Sequence, residues 1–278
     1  MTGPTWGVHG VTFRYGRATA LDDVSLDAPS GAVVALVGGD GAGKTTLLRT
    51  LAGALRPEQG TVTAPPLTDI GFMPTTSGVW RELTVDENVS FVAAAYGVRG
   101  AELRRRRESL LGTAGLDEVG DRLAGHLSGG MRQKLAFCLA MLHRPTLLVL
   151  DEPSTGVDPV SRVDLWRMIS QAAARGAAVV MATTYLDEAE RASSVLVLDE
   201  GRVLLSGAPA EVVAQAPGAV FRTAEPTVRS RAWRRGREYR EWSPDPTTGP
   251  TTGDGTRVAV DLEDAVISAS LAKEAARA

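Results

Sequence analysis

Residues 33–46 read VVALVGGDGAGKTT. The first five are apolar without a break, the mark of a short strand buried on both faces. Glycines at 38, 39, 41 and 43 follow, and then a helix, GKTTLLRTLAGAL. Gly38, Gly43, Lys44 and Thr45 match G-x-x-x-x-G-K-[ST], with a strand before and a helix after. Glycines allow a tight turn in which successive N–H groups point at phosphate oxygens, and the helix start adds partial positive charge. Lys44 is expected to bridge the β- and γ-phosphates and the Thr45 hydroxyl to hold Mg²⁺. The nucleotide-binding residues are then Gly38, Gly39, Asp40, Gly41, Ala42, Gly43, Lys44, Thr45 and Thr46. Alone, this loop says only that a nucleoside triphosphate binds.

A second buried strand, TLLVL (146–150), delivers Asp151 and Glu152 at its carboxyl end. Ligands bind there in an open α/β sheet. Asp151 can hold Mg²⁺, and Glu152 can orient or deprotonate an attacking water. Further strands are expected at AAVVMAT (177–183) and at SVLVLDEGRVLLSG (194–207), where Glu200-Gly201 suggests a hairpin. Strands alternating with helices imply a largely parallel sheet with helices on both faces. LSGGMRQKL (127–135) supplies a second helix start, with Ser128, Gly129 and Gly130 able to approach an anion closely. One chain with two phosphate-grasping ends suggests that two chains sandwich the nucleotide.

Composition narrows the classes. Hydrophobic residues make up 44% and charged residues 23% of 278, near globular averages, so a folded core is expected. A net charge of −3 leaves no chain-wide footprint for nucleic acid. Cys138 is the sole cysteine, which excludes an intrachain disulfide and a multi-cysteine metal site. Its neighbours, LAFCLAML, make it a buried small hydrophobe. No run approaches the ~18 apolar residues of a membrane span. The start, MTGPTWGVHGVTF, lacks the basic-then-apolar pattern of a secretion signal. A cytosolic chain is expected, with any membrane span supplied by another polypeptide.

A helical stretch is expected over about 84–143. The leucines at 103, 110 and 111 leave the arginines of LRRRRESLLGTAGL a solvated face. Beyond residue 216 the composition changes. VRSRAWRRGREYREW carries Trp233, Tyr239 and Trp242 among arginines. That mixture can bind single-stranded nucleic acid, but its alternation fits a half-exposed strand better. PDPTTGPTTGDG (244–255) reads as a flexible loop before a strand and a last helix.

With LSGG lying 21 residues before DEP, residues 6 to about 210 resemble the ATP-binding subunit of an ABC transporter. Residues 217–278 resemble, more loosely, the C-terminal extension of drug-resistance-type exporter subunits, through VDLEDAVISAS. The resemblance implies an α/β P-loop NTPase fold of the ABC ATPase type. It has a mostly parallel central sheet, an antiparallel β-subdomain and a helical subdomain at about 76–135. Residues 1–216 would form the ATP-binding domain and 217–278 a small α+β appendage.

The resemblance further implies ATP and Mg²⁺ as cofactors, Thr45 and Asp151 as metal ligands, and Glu152 as the catalytic carboxylate. A head-to-tail dimer would complete each ATP site with Leu127, Ser128, Gly129 and Gly130 of the other chain. Tyr15 would stack on adenine, and Asp158 would lie in the loop crossing the dimer interface. VWRELTVDEN would touch an integral membrane transporter subunit, and the chain would sit on the inner face of the cell membrane.

Three positions depart from the family pattern. Asp40 puts a carboxylate near the phosphates. Thr75 stands where a glutamine normally reaches Mg²⁺ and the attacking water, and Thr184 stands where a histidine contacts the γ-phosphate. Losing one preorganised contact of that kind costs roughly 100- to 1,000-fold in rate. The expectation is an exporter ATPase subunit whose own site is slow, paired with itself or, preferably, with a second, complete ABC ATPase. The alternatives are a non-hydrolytic ATP-dependent binding subunit and a soluble ABC ATPase outside transport.

Overall fold

The computed structural model describes residues 3–247, 249 and 255–277. In chain order it opens with strands β1 (Thr5–Tyr15), β2 (Ala18–Pro29) and β3 (Val33–Val37), then helix α1 (Lys44–Leu51) and strands β4 (Gln59–Thr63) and β5 (Ile70–Met73). Helices α2 (Val85–Ala95), α3 (Gly100–Ala114) and α4 (Gly129–Met141) follow. Next come β6 (Leu147–Asp151), α5 (Pro159–Ala174), β7 (Ala178–Ala182), α6 (Leu186–Ala189), β8 (Ser194–Asp199), β9 (Arg202–Gly207) and α7 (Pro209–Ala214). The chain continues through β10 (Ala219–Thr223), β11 (Ala232–Arg235), β12 (Glu238–Ser243), β13 (Thr256–Arg257) and α8 (Leu262–Arg277).

Six strands form the central sheet in the order β5-β6-β7-β3-β8-β9. All neighbours pair in parallel except β8 and β9. The unbroken apolar runs of β3, β6 and β7 are explained by burial on both faces. Val33, Ala35 and Val37 join one core with Leu148, Leu150, Val179 and Met181. Val34 and Leu36 join the opposite core with Leu147, Val149 and Val180. Residues from α2 to α5 and from α8 line the first core; α1 and the antiparallel strands β1 and β2 cover the second. That second cover belongs to a three-stranded antiparallel sheet, β2-β1-β4. The fold class matches the expectation.

The helical stretch begins with a capping box. Thr84 Oγ1 accepts from the Glu87 amide while Glu87 accepts from the Thr84 amide, satisfying two otherwise orphaned donors. The arginine run does not face water as one. Arg104 and Arg105 are exposed, but Arg106 bonds Glu102 and the Leu142 carbonyl, and Arg107 forks onto Asp86. A helix turns about 100° per residue, so consecutive arginines cannot share one face.

A four-stranded sheet, β11-β12-β10-β13, carries the arginine-aromatic segment. Trp242 is buried and donates to the Pro217 carbonyl, whereas Trp233 and Tyr239 are half-buried, as the alternation implied. The strand expected after the 244–255 loop shortens to two residues, because Asp261 accepts from the Asp264 amide and turns the chain into α8. Of that loop, residues 248 and 250–254 lie outside the described residues. Leu262, Ala265 and Ala269 of α8 share a core cluster with Leu205 and Val212.

Candidate nucleotide site

The strand-loop-helix unit bends at three glycines. Gly38, Gly41 and Gly43 have φ of 152°, 77° and 105°, a region that disfavours side chains. At Gly38 a Cβ would lie 2.2 Å from the Leu198 carbonyl oxygen, and at Gly43 2.6 Å from that of Ala20. Gly39 and Gly41 have open space where a Cβ would stand. The loop is thus pressed against β2 and β8 on one side and open on the other. Among the described residues no protein acceptor takes the N–H groups of Gly43, Lys44, Thr45 or Thr46. These are the orphan donors of a helix start, and a phosphate satisfies them.

A cavity of about 330 Å³ opens there, lined by Tyr15, Ala20, Asp40–Thr46 and Glu152. Lys44 is only 6% exposed, and its Nζ donates to the Gly38 and Gly39 carbonyls at 2.7 and 3.0 Å. Glu152 Oε1 lies 4.0 Å from the same ammonium. Tyr15 lines this cavity, is 50% exposed and makes a T-shaped contact with Phe13, ring centroids 4.9 Å apart.

Beneath the loop, Thr45 Oγ1 donates to Asp151 Oδ1 at 3.2 Å. Thr75 Oγ1 donates to Asp151 Oδ2 at 2.8 Å. A hydroxyl, a carboxylate and neighbouring phosphate oxygens are a donor set suited to Mg²⁺, which retains waters and needs few protein ligands. Among the described residues no group of three or more His, Cys, Asp or Glu could hold a metal by itself. Glu152 has φ of 53°, an uncommon conformation for a non-glycine residue and a cost that concentrates at functional sites. Its Oε2 accepts from Thr155 Oγ1 at 3.0 Å.

The signature residues lie elsewhere. None of Leu127, Ser128, Gly129 or Gly130 lines the cavity. Ser128 caps α4 by accepting from the Met131 amide, and a Cβ on Gly130 would strike Ser161 Oγ at 2.5 Å. Asp158 caps α5 by accepting from the Ser161 and Val160 amides, and hydrogen bonds from the Ser161 amide and hydroxyl, with that from Val160, hold its carboxyl below the usual range. Thr184 is exposed, outside the cavity lining and without a side-chain hydrogen bond among the described residues.

One buried element escaped the sequence reading. Glu188 accepts from Thr183 Oγ1 at 2.7 Å and from Ser154 Oγ at 3.0 Å, and Arg162 contacts it at 3.3 Å. Arg162 also forks onto Asp187 and covers the Tyr185 ring at 3.8 Å. This network ties the segment holding Thr184 to the loop after Glu152. The acidic run LDEAE signalled a helix start, but nothing in it marked Glu188 as the buried member.

The loop, the paired acidic residues at the end of β6 and the separate glycine-rich helix start define an ABC-type ATP-binding cassette. The ABC transporter family profile matches residues 21–155. A daunorubicin/doxorubicin resistance ATP-binding protein of Streptomyces peucetius is 35% identical over 244 residues, covering 83% of this chain and 74% of that protein. A probable multidrug ABC transporter ATP-binding protein of Escherichia coli (strain K12) is 41% identical over 219 residues. That match covers 75% of this chain but 38% of the Escherichia coli protein, so the chain spans well under half of that relative. A solved ATP-binding subunit of an ABC transporter superposes with a TM-score of 0.70 at 30% identity, covering 76% of this chain and 93% of that one. The chain belongs to the ABC transporter ATP-binding family. Among the described residues no helix is long and apolar enough to cross a membrane.

Proposed function

We propose that this chain binds and hydrolyses MgATP as the ATPase subunit of an exporter, coupling dimer closure to a separate membrane subunit. The observation that carries the proposal is the single cavity shared by the phosphate loop, Lys44 and Glu152, with Asp151 beneath it and the signature outside its lining. Lys44 and the helix-start amides take the phosphates, Tyr15 stacks on adenine, and Thr45 and Asp151 hold Mg²⁺. The metal neutralises charge developing on the phosphates. Glu152 orients and deprotonates the attacking water. Leu127–Gly130 act on the partner chain's nucleotide, and Asp158 lies at the interface between chains. The drug-resistance and multidrug names of the relatives support export over import. Residues 1–216 form the ATP-binding domain, with the helical subdomain at about 76–135, and residues 217–278 form the extension. The chain works on the inner face of the membrane and contacts no nucleic acid.

The chain's own site is slow, and its intact signature completes a faster site on a second ABC ATPase. Thr75 supports this reading because its hydroxyl is committed to Asp151, and Thr184 because it cannot become a cation. The same observations favour a second reading, an ATP-dependent clamp that never turns over. Steady-state MgATP turnover by the purified chain, beside Thr184→His, separates them. A nearly silent native chain revived by histidine supports the slow site. A silent pair that still binds MgATP supports the clamp. Brisk turnover by the native homodimer overturns both.

A further inference from the structure

The turn between β8 and β9 touches two distant parts of the chain at once. Glu200 and Gly201 both have positive φ, 48° and 77°, the geometry of a two-residue hairpin turn whose twist matches its strands. On one side the turn supports the phosphate loop. The Gly201 amide donates to the Ala42 carbonyl at 3.0 Å, and a Cβ on Gly201 would lie 2.7 Å from the Ala20 carbonyl oxygen. The Ala20 oxygen also closes off Gly43, so Ala20 is wedged between turn and loop. On the other side, α8 grips the turn. Lys273 Nζ reaches Asp199 Oδ2 at 2.5 Å, the Asp199 carbonyl at 3.2 Å and Glu200 Oε2 at 3.0 Å. Arg277 reaches Glu200 at 2.6 Å.

We infer that Lys273 and Arg277 are positioning residues for the phosphate loop, acting through the Asp199–Gly201 turn. The inference rests on the nucleotide site proposed above. It assigns the extension a part in ATP binding that none of its residues performs by contact. Four charges in mutual reach form a network, which holds geometry better than an isolated exposed pair. α8 is fixed to the same core through Leu262, Ala265 and Ala269, so the two cations project from a braced helix. The turn has a second support, because its Gly201 carbonyl accepts from the Asp22 amide at 2.8 Å and Asp22 pairs with Arg202. Releasing α8 therefore loosens the loop without dissolving it.

The test uses the full chain, its Lys273→Met/Arg277→Met variant and Lys273→Arg. MgATP affinity is measured by calorimetry, and amide exchange without nucleotide at Ala42, Leu47 and Gly201, whose N–H groups bond to the loop. The double variant is expected to bind MgATP about 5-fold more weakly, at the low end of typical couplings between sites. These bonded amides should exchange faster at an unchanged thermal midpoint, and Lys273→Arg should behave as the native chain. Native affinity and native exchange in the double variant overturn the inference. If the native chain itself binds no MgATP, the nucleotide reading fails instead, and the exchange comparison still decides whether α8 positions the loop. Should the double variant unfold, Lys273→Gln beside Lys273→Arg makes the same comparison.

Discussion

Thr75 Oγ1 donates to Asp151 Oδ2 at 2.8 Å across the gap between the ends of β5 and β6. Asp151 is 1% exposed, and its other oxygen is taken by Thr45. Thr75 is therefore part of the support of Asp151, the carboxylate proposed above to hold Mg²⁺. Thr75→Val keeps the shape and removes the donor. A hydrogen bond to a charged group contributes about 1.5–3 kcal/mol. Urea unfolding without nucleotide should show that loss, and Thr75→Ser should recover most of it. An unchanged midpoint for the valine variant rejects this role.

Asp40 lines the cavity beside Lys44 and is exposed, without a side-chain partner among the described residues. Its carboxylate opposes the negative charge of a triphosphate. Asp40→Asn should tighten MgATP binding roughly 2- to 5-fold at low salt. The gain should shrink as ionic strength rises and the Debye length falls below about 10 Å. Equal affinities at low salt would show that Asp40 points its charge away from the phosphates.

His143 stacks on Tyr96 with ring centroids 3.8 Å apart, and its Nε2–H donates to the Ile70 carbonyl at 3.0 Å. Among the described residues its buried Nδ1 has no partner. Burial is the largest influence and pushes the imidazole below its ordinary 6.5. A base with a depressed folded pKa contributes stability above its unfolded pKa and loses it as pH falls through the folded value. Proton NMR should place the His143 midpoint below 6.5. Stability should fall as pH drops below 6.5, and His143→Gln should flatten that slope.

Cys138 lies inside the core on α4, and burial pushes its thiol up to about 12. Its Sγ–H donates to the Leu110 carbonyl at 3.4 Å. The thiolate is the reactive form. A disulfide reagent at pH 8 should leave the native chain unlabelled and label it stoichiometrically in urea. Rapid native labelling would place the thiol at the surface.

The candidate site's loop was legible where it depends on local backbone. A glycine-rich turn between a buried strand and a helix has few alternatives, because unpaired helix-start amides and positive φ confine it. The unbroken runs of β3, β6 and β7 likewise announced a sheet covered on both faces. The Glu200-Gly201 hairpin was readable because only a few residue pairs tolerate positive φ at both positions.

Long-range pairing was not legible. No spacing rule connects Thr75 to Asp151, Glu188 to Ser154, or Lys273 to Asp199, because contacts between distant segments depend on the order of strands in the sheet. The arginine run showed the same limit, since Arg106 and Arg107 found acceptors on other segments of the chain. Sequence alone determined the glycine-rich turn and its free helix-start amides, because both lie in one short segment. Tertiary structure alone decided what supports the segment: a hydroxyl from β5's end, a hairpin turn from β8 and β9, and two cations from α8, brought together by the burial of apolar faces that carry no address for their partners.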